Sequence, residues 1–170
     1  WPYGVGKVQS GEGNFWADAE AAYVGLHSGI PIIISPAELG QWVCLTKEHI
    51  DTIVEAGTPI SEIFKYVRER IVKRIESGRG DCLRMWDDTT VLYLIAPELM
   101  KFTEYAIDIV TSGPAYGHTY VAEDWGAYSA RASASGSFYH AEELNPVNVK
   151  ILYDLDYEAF TDLYIKLMTK

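Results

Sequence analysis

Two periodicities divide the chain, a helical one near 3.6 residues and short continuous apolar runs. Segment 18–28 opens with Asp18, continues through small helix-favouring residues and meets Gly29, the pattern of a capped helix with a glycine stop. Ile30-Pro31-Ile32-Ile33-Ile34-Ser35 follows. That run is too apolar for a half-exposed strand and predicts a buried one in a parallel arrangement. A helix feeding directly into a buried strand predicts an α/β fold with helices on both faces of a sheet.

Further on, 46–56 predicts a helix ended by Gly57, and Thr58 with Pro59 caps a second one running to Ser77. In that second helix Ile63, Val67, Ile71 and Ile75 recur every fourth residue and are expected to share one buried face. Arg68, Glu69, Lys73 and Arg74 then form a solvated surface, and Gly78-Arg79-Gly80 breaks the helix. Residues 89–95 predict a short buried helix closed by Pro97. Strands are expected at 105–110, at 128–139, where Ser and Ala alternate, and at 147–153. A terminal helix opens at Asp156 with Phe160, Leu163, Tyr164 and Leu167 on one stripe. No repeat or low-complexity block interrupts residues 1–170, so a single domain is expected.

Composition narrows the partners. A net charge of −10 makes phosphate backbones and anionic lipid surfaces poor partners, which argues against nucleic-acid polymers and membranes. No apolar run reaches the ~20 residues of a bilayer span, and no signal-peptide pattern is present; cytoplasmic and periplasmic locations stay open. Cys44 and Cys82 lack the spacing of a thiolate metal site, and two cysteines do not make a disulfide framework. The opening Trp1-Pro2-Tyr3-Gly4-Val5-Gly6 reads like the middle of a loop, as expected of a processed or truncated product.

Several familiar chemistries fail on spacing. Gly4-Val5-Gly6-Lys7-Val8 lacks the Ser or Thr and the preceding strand of a phosphate loop. No Gly-x-Ser-x-Gly elbow occurs. His27, His49, His118 and His140 are scattered without ligand spacing and are expected to be structural. Asp154-Leu155-Asp156-Tyr157-Glu158 lacks the glycine of a calcium loop and reads as a strand end followed by a helix cap.

Two segments carry candidate chemistry. In Gly11-Glu12-Gly13-Asn14-Phe15-Trp16-Ala17-Asp18-Ala19-Glu20-Ala21-Ala22, an extended backbone would point Glu12 and Asn14 into one cleft. A carboxylate that accepts and an amide that does both can grip sugar hydroxyls; a polar loop with a capped helix accounts for the same residues. In Trp86-Asp87-Asp88-Thr89-Thr90-Val91-Leu92-Tyr93-Leu94-Ile95-Ala96-Pro97, Asp87 can cap the helix or face a hard cation. Trp86 can be a core indole or a stacking face for a purine, worth about 1–3 kcal/mol per base.

Taken together, these segments resemble the inosine-uridine preferring nucleoside hydrolase family. The first matches its A-E-F-N-x-x-x-D-P-E-A-A stretch and Ser28-Gly29-Ile30-Pro31-Ile32 its S-G-I-P-I. Residues 86–97 match H-D-P-L-A-V-A-Y-L-I-D-P without a gap, and the closing strand and helix from Asn148 follow in order. The resemblance implies the C-terminal half of an open, mostly parallel sheet flanked by helices, with the N-terminal calcium-binding portion absent. It implies hydrolysis of the N-glycosidic bond of ribonucleosides to base and ribose. Glu12 would hold the 5′-hydroxyl, Asn14 a hydroxyl of the ribose ring, and Asp87 would ligate Ca2+, all converging on one cavity.

The chain departs from the family at three places. The Asp-rich D-x-D-x-x-x-D-D motif is absent, so the general base is expected upstream of Trp1. Gly6 stands where the family has a sugar-binding Asn. Trp86 replaces the family His, as in its purine-preferring branch, which shifts the expected substrate towards purine nucleosides. The chain alone is expected to be inactive. A non-catalytic nucleoside- or sugar-binding module is the alternative reading. The partners implied are a small-molecule ribonucleoside and, left open, a separate N-terminal half or a second copy of the chain.

Overall fold

A computed structural model of the protein describes residues 11–80, 82–123 and 146–170. The chain divides into two compact units, each built from two stretches: Trp1–Ile34 with Thr103–Ile151, and Ser35–Phe102 with Leu152–Lys170.

In the first unit, α1 (Gly13–Ala17) leads directly into α2 (Ala19–Leu26). Asp18 caps α2 by accepting from the Ala21 N–H at 2.9 Å, as its position before an apolar run predicts. The sheet runs in the order β1 (Ile33–Ile34), β6 (Val147–Leu155), β4 (Met100–Ile109) and β5 (Thr119–Ala122). β1 pairs parallel to β6, with Ile33 opposite Lys150, whereas β4 and β5 are antiparallel, with Ile107 opposite Val121. The α/β class thus holds with a mixed sheet. Ala19, Leu26, Ile107, Ile109 and Val149 form this unit's core.

The run at 30–35 is parallel as expected but not buried. Only two of its residues pair, and Ile30 and Ile33 remain 69% and 37% exposed. Among the described residues it stands at the end of the strand order. The alternating Ser/Ala strand expected at 128–139 lies outside the described residues, as do Gly6 and the 4–8 glycine-lysine segment.

The second unit is mainly helical. Its elements are α3 (Ala37–Trp42), a two-stranded ladder of β2 (Cys44–Leu45) with β3 (Leu83–Arg84), α4 (Lys47–Glu55), α5 (Pro59–Glu76), α6 (Asp88–Ile95) and α7 (Tyr157–Met168). Leu45, Ile50, Ile53, Met85, Leu152 and Phe160 are each no more than 1% exposed and anchor its core. Thr46, Thr58 and Asp156 cap α4, α5 and α7. Gly57 takes φ +67° between the first two, where a side chain would be strained.

Two apolar faces differ from expectation. In α5 the buried positions are Ser61, Phe64 and Ile71, with Ile60 and Val67 packed beside them, while Ile63 and Ile75 face water at 65% and 41% exposure. A strict four-residue spacing rotates about 40° per step around a helix of 3.6 residues per turn, so it leaves the core face. Similarly α6 buries only Thr89 and Leu92; Val91, Leu94 and Ile95 are exposed, so this helix is half-buried. No helix among the described residues is long and apolar enough to cross a membrane. Cys44 and Cys82 are both free thiols.

Where α4 meets α5, Ser61 is fully buried; its Oγ donates to the Ile53 carbonyl at 2.5 Å and accepts from the Thr58 N–H at 3.0 Å. Replacing it with Ala removes only the hydroxyl and strands both backbone groups. Ser61→Ala is expected to lower stability by about 1–3 kcal/mol at an unchanged m-value in urea unfolding. A loss within error would show that Ser61 does not hold this corner.

Asp51 bridges the same helices, accepting from Lys47 and from Arg68. Those two hydrogen bonds hold its carboxyl below the usual carboxylate range. Its stabilising effect is therefore complete above the unfolded-state value and fades as pH falls through the lower folded value. Carboxyl 13C titration should place its midpoint below that of an ordinary Asp, and Arg68→Gln should move it upward. An unmoved midpoint contradicts the bridge.

Candidate active-site segments

The turn carrying Trp86 and Asp87 is set by backbone ties to α3 and β2. Met85 N–H donates to the Val43 carbonyl at 3.0 Å, continuing the β2–β3 ladder, and Arg84 Nη1 donates to the Gln41 carbonyl. The chain then turns into α6. Thr89 Oγ1 donates to the Trp86 carbonyl at 2.7 Å, and Thr90 Oγ1 to the Asp87 carbonyl at 2.6 Å. A hydroxyl has one proton to give. With the Thr89 proton committed to Trp86, the 2.6 Å contact between Ser35 Oγ and Thr89 Oγ1 is donated by Ser35. A relay from Ser35 through the fully buried Thr89 thus fixes the backbone beneath the indole.

Asp87 occupies the N-cap position of α6 yet makes no side-chain cap bond. Its φ of −83° and ψ of −28° are helical, whereas a capping side chain reaches back to the helix from extended backbone. The exposed carboxylate is left at the N-terminal end of α6. Its neighbour Asp88 is engaged otherwise: the Tyr164 hydroxyl of α7 donates to it. Burial first, then the Asp88 charge and hydrogen bond, push the Tyr164 phenol well above its ordinary value.

Trp86 is no core indole, being 49% exposed. Its Cγ–Cδ1 edge lies over Gly40 of α3: a Cβ there would sit 2.2 Å from Cδ1 and 2.8 Å from Cγ. The glycine is thus required by close approach, although Gly inside a helix costs about 1 kcal/mol relative to Ala.

In the first unit, Glu12 and Asn14 are close together but not on the extended strand expected. Residues 13–17 coil into α1, and the Glu12 carboxylate folds back as its N-cap, Oε2 accepting from Asn14 N–H at 2.8 Å and Phe15 N–H at 3.2 Å. Asn14 is exposed on the helix. Sequence reading missed the turn that supports this segment. Gly117, at φ +79°, packs so closely that a Cβ would lie 2.6 Å from the Trp16 Cα, and a Cβ on Gly11 would lie 2.0 Å from the Gly117 carbonyl oxygen. Tyr116 adds a clamp, its hydroxyl donating to Glu20 and accepting from Ala19 N–H at 3.1 Å. The glycines Gly113 and Gly117 around Tyr116 were the available signal. An apolar groove of about 460 Å³ nearby, lined by Phe15, Ala22, Leu26, Ile30, Ile32 and Ile34, holds no carboxylate or amide and is unsuited to a sugar.

The described histidines are structural, as expected. His27 stacks on Tyr23 at 3.9 Å, His49 Nδ1 accepts from Thr46 N–H in the α4 capping box, and His118 meets Tyr120 edge-on. Asp156 caps α7 and Asp154 pairs with Lys101, so the acidic 154–158 segment is a strand end and a cap. Among the described residues, no group of three or more His, Cys, Asp or Glu is placed to hold a metal ion. Calcium takes 6–8 oxygens, so the described donors do not complete a calcium site; the exposed Asp87 carboxylate is a single oxygen donor.

Comparison with known proteins places this architecture. The pyrimidine-specific ribonucleoside hydrolase RihB of Escherichia coli (strain K12 / DH10B) is 33% identical over 120 residues, 69% of this chain and 38% of that protein. The chain therefore spans well under half the length of the curated relatives it matches. Among solved structures, a plant nucleoside hydrolase, the PpNRh1 enzyme, superposes with a TM-score of 0.71 at 18% identity, covering 93% of this chain and 47% of its own. A purine-preferring ribonucleoside hydrolase from Gardnerella vaginalis gives 0.68 at 15% identity, covering 94% and 46%; at such identities the fold is what is shared. The sequence profile described as inosine-uridine preferring nucleoside hydrolase matches residues 4–162, nearly the whole chain, and the protein belongs to that family.

Proposed function

We propose that this chain is the ribose- and base-contacting portion of a nucleoside N-ribohydrolase that favours purine nucleosides. One observation carries the reading: a half-exposed indole sits next to a carboxylate that its own helix does not use as a cap. Trp86 gives a base a flat face, and Asp87 is one oxygen ligand of a calcium ion whose other ligands lie beyond the described residues. Calcium, when bound, would supply positive charge to the ribose hydroxyls and to water. Glu12 and Asn14 are the ribose-hydroxyl contacts. Only Oε2 of Glu12 is engaged in capping α1, and that bonding also holds the carboxylate in place for a hydroxyl donor.

Hydroxyl contacts that strengthen as the sugar approaches an oxocarbenium-like state lower the barrier to glycosidic cleavage. Cleavage also needs a general base, and no described residue is assigned that role. On this reading the chain binds nucleoside without releasing base. Purine preference rests on Trp86 against the pyrimidine specificity named for the relative at 33% identity.

Calorimetry of the 170-residue chain in calcium, with inosine and with uridine, tests this. Inosine should bind saturably and more tightly than uridine, and no free base should appear. Trp86→Ala should weaken inosine by about 5- to 150-fold, the equivalent of one lost stacking contact of 1–3 kcal/mol, with the melting temperature retained. Tighter binding of uridine overturns the base preference, and base release by this chain overturns its partial-site role. An absence of nucleoside binding overturns the whole reading.

A further inference from the structure

We infer that Gly40 is a positioning residue that selects the base by setting where the Trp86 ring lies. The inference rests on the nucleoside reading above and adds a residue to it. Gly40 lies within α3, and its φ is not positive, so its backbone would accept any residue. Gly is a poor helix former, and α3 has no compensating side-chain cap, since Pro36 makes none. What excludes a side chain is contact: a Cβ would stand 2.2 Å from Trp86 Cδ1, 2.8 Å from Cγ and 2.9 Å from Cα.

The neighbours of that contact are fixed, so the strain cannot dissipate easily. Behind Gly40, the Gln41 and Val43 carbonyls are held by Arg84 Nη1 and Met85 N–H. Behind Trp86, the hydroxyl relay from Ser35 through Thr89 holds its carbonyl. Val43 and Met85 are 2% and 1% exposed, packed into the core on either side of the ladder. The ring is the most movable party and relieves the two shortest contacts, while the 2.9 Å approach to the Cα asks only a small backbone adjustment. A methyl group at position 40 would swing the indole off its shelf, while the half of its surface now open to solvent is what a base would cover.

Such a shelf acts on the base and not on the ribose. A displaced ring should therefore penalise purine nucleosides, whose larger base depends most on stacking, more than pyrimidine nucleosides.

The test is Gly40→Ala in the full chain labelled with 5-fluorotryptophan, the Trp86 19F resonance being assigned by its loss in Trp86→Ala. Expected are a shifted Trp86 resonance, inosine affinity lower by about fivefold or more, as one weakened stacking contact requires, and uridine affinity changed less than inosine affinity. In the Trp86→Ala background, adding Gly40→Ala should leave inosine affinity unchanged, because the ring it would displace is gone. Equal losses for inosine and uridine, or an additive loss in the double variant, overturn the shelf. If Gly40→Ala alone fails to fold, removal of the indole should restore folding, and failure of that rescue also overturns it. Wild-type chain that binds no nucleoside overturns instead the reading on which the shelf rests, and with it the shelf's part in base selection.

Discussion

The turn between β3 and α6 keeps its shape because threonine hydroxyls occupy carbonyls that a tight turn would otherwise leave to water. Thr89 takes the Trp86 carbonyl and Thr90 takes that of Asp87. The Asp87 carboxylate makes no cap bond at this helix start and stays exposed. The other segment works differently: Glu12 does cap, and its charge is fixed in place by the N–H groups it accepts. One carboxylate is exposed by being released from its helix, the other is oriented by being bound to one.

Each unit supports its segment through its own core. In the second, Met85 sits among Leu45, Ile50, Leu92, Leu152 and Phe160, immediately before the indole. The residue preceding the candidate chemistry is therefore among the least mobile parts of the unit, and the functional pair projects from a rigid base. In the first, Phe15 packs with Ala19, Leu26 and Ile107 directly after Asn14. In both places an apolar residue packed on the core adjoins an exposed one, the arrangement that gives a surface group a fixed direction.

What could be read from sequence was what local chemistry decides. The caps Asp18, Thr58 and Asp156 and the stop at Gly57 were legible because each depends on residues within one turn. α1, α3 and the two-residue strands β2 and β3 were not, being too short for any period to repeat. The α5 face was misplaced because Phe64 and Ser61, one aromatic and one polar, carry the contact in place of the more regular isoleucines. Of the candidate site, the identities of Glu12, Asn14, Trp86 and Asp87 were legible as motif. Their geometry was not: the coil of α1 and the Gly40 contact depend on residues brought close from 43 to 106 positions away, from Arg84 against Gln41 to Gly117 against Gly11, and no spacing rule reaches that far.

The brevity of β1 has a bearing on how the chain behaves when concentrated. Ile30 to Ile34 is the segment most disposed to pair with copies of itself, being β-branched, uncharged and partly exposed. Pro31 interrupts it with a residue that has no N–H, and only Ile33 and Ile34 are aligned with β6. A template two residues long, with a missing donor just ahead of it, gives an incoming strand too few bonds to hold. The proline that looks like an irregularity in an isoleucine run thus makes this rim a poor template for strand addition.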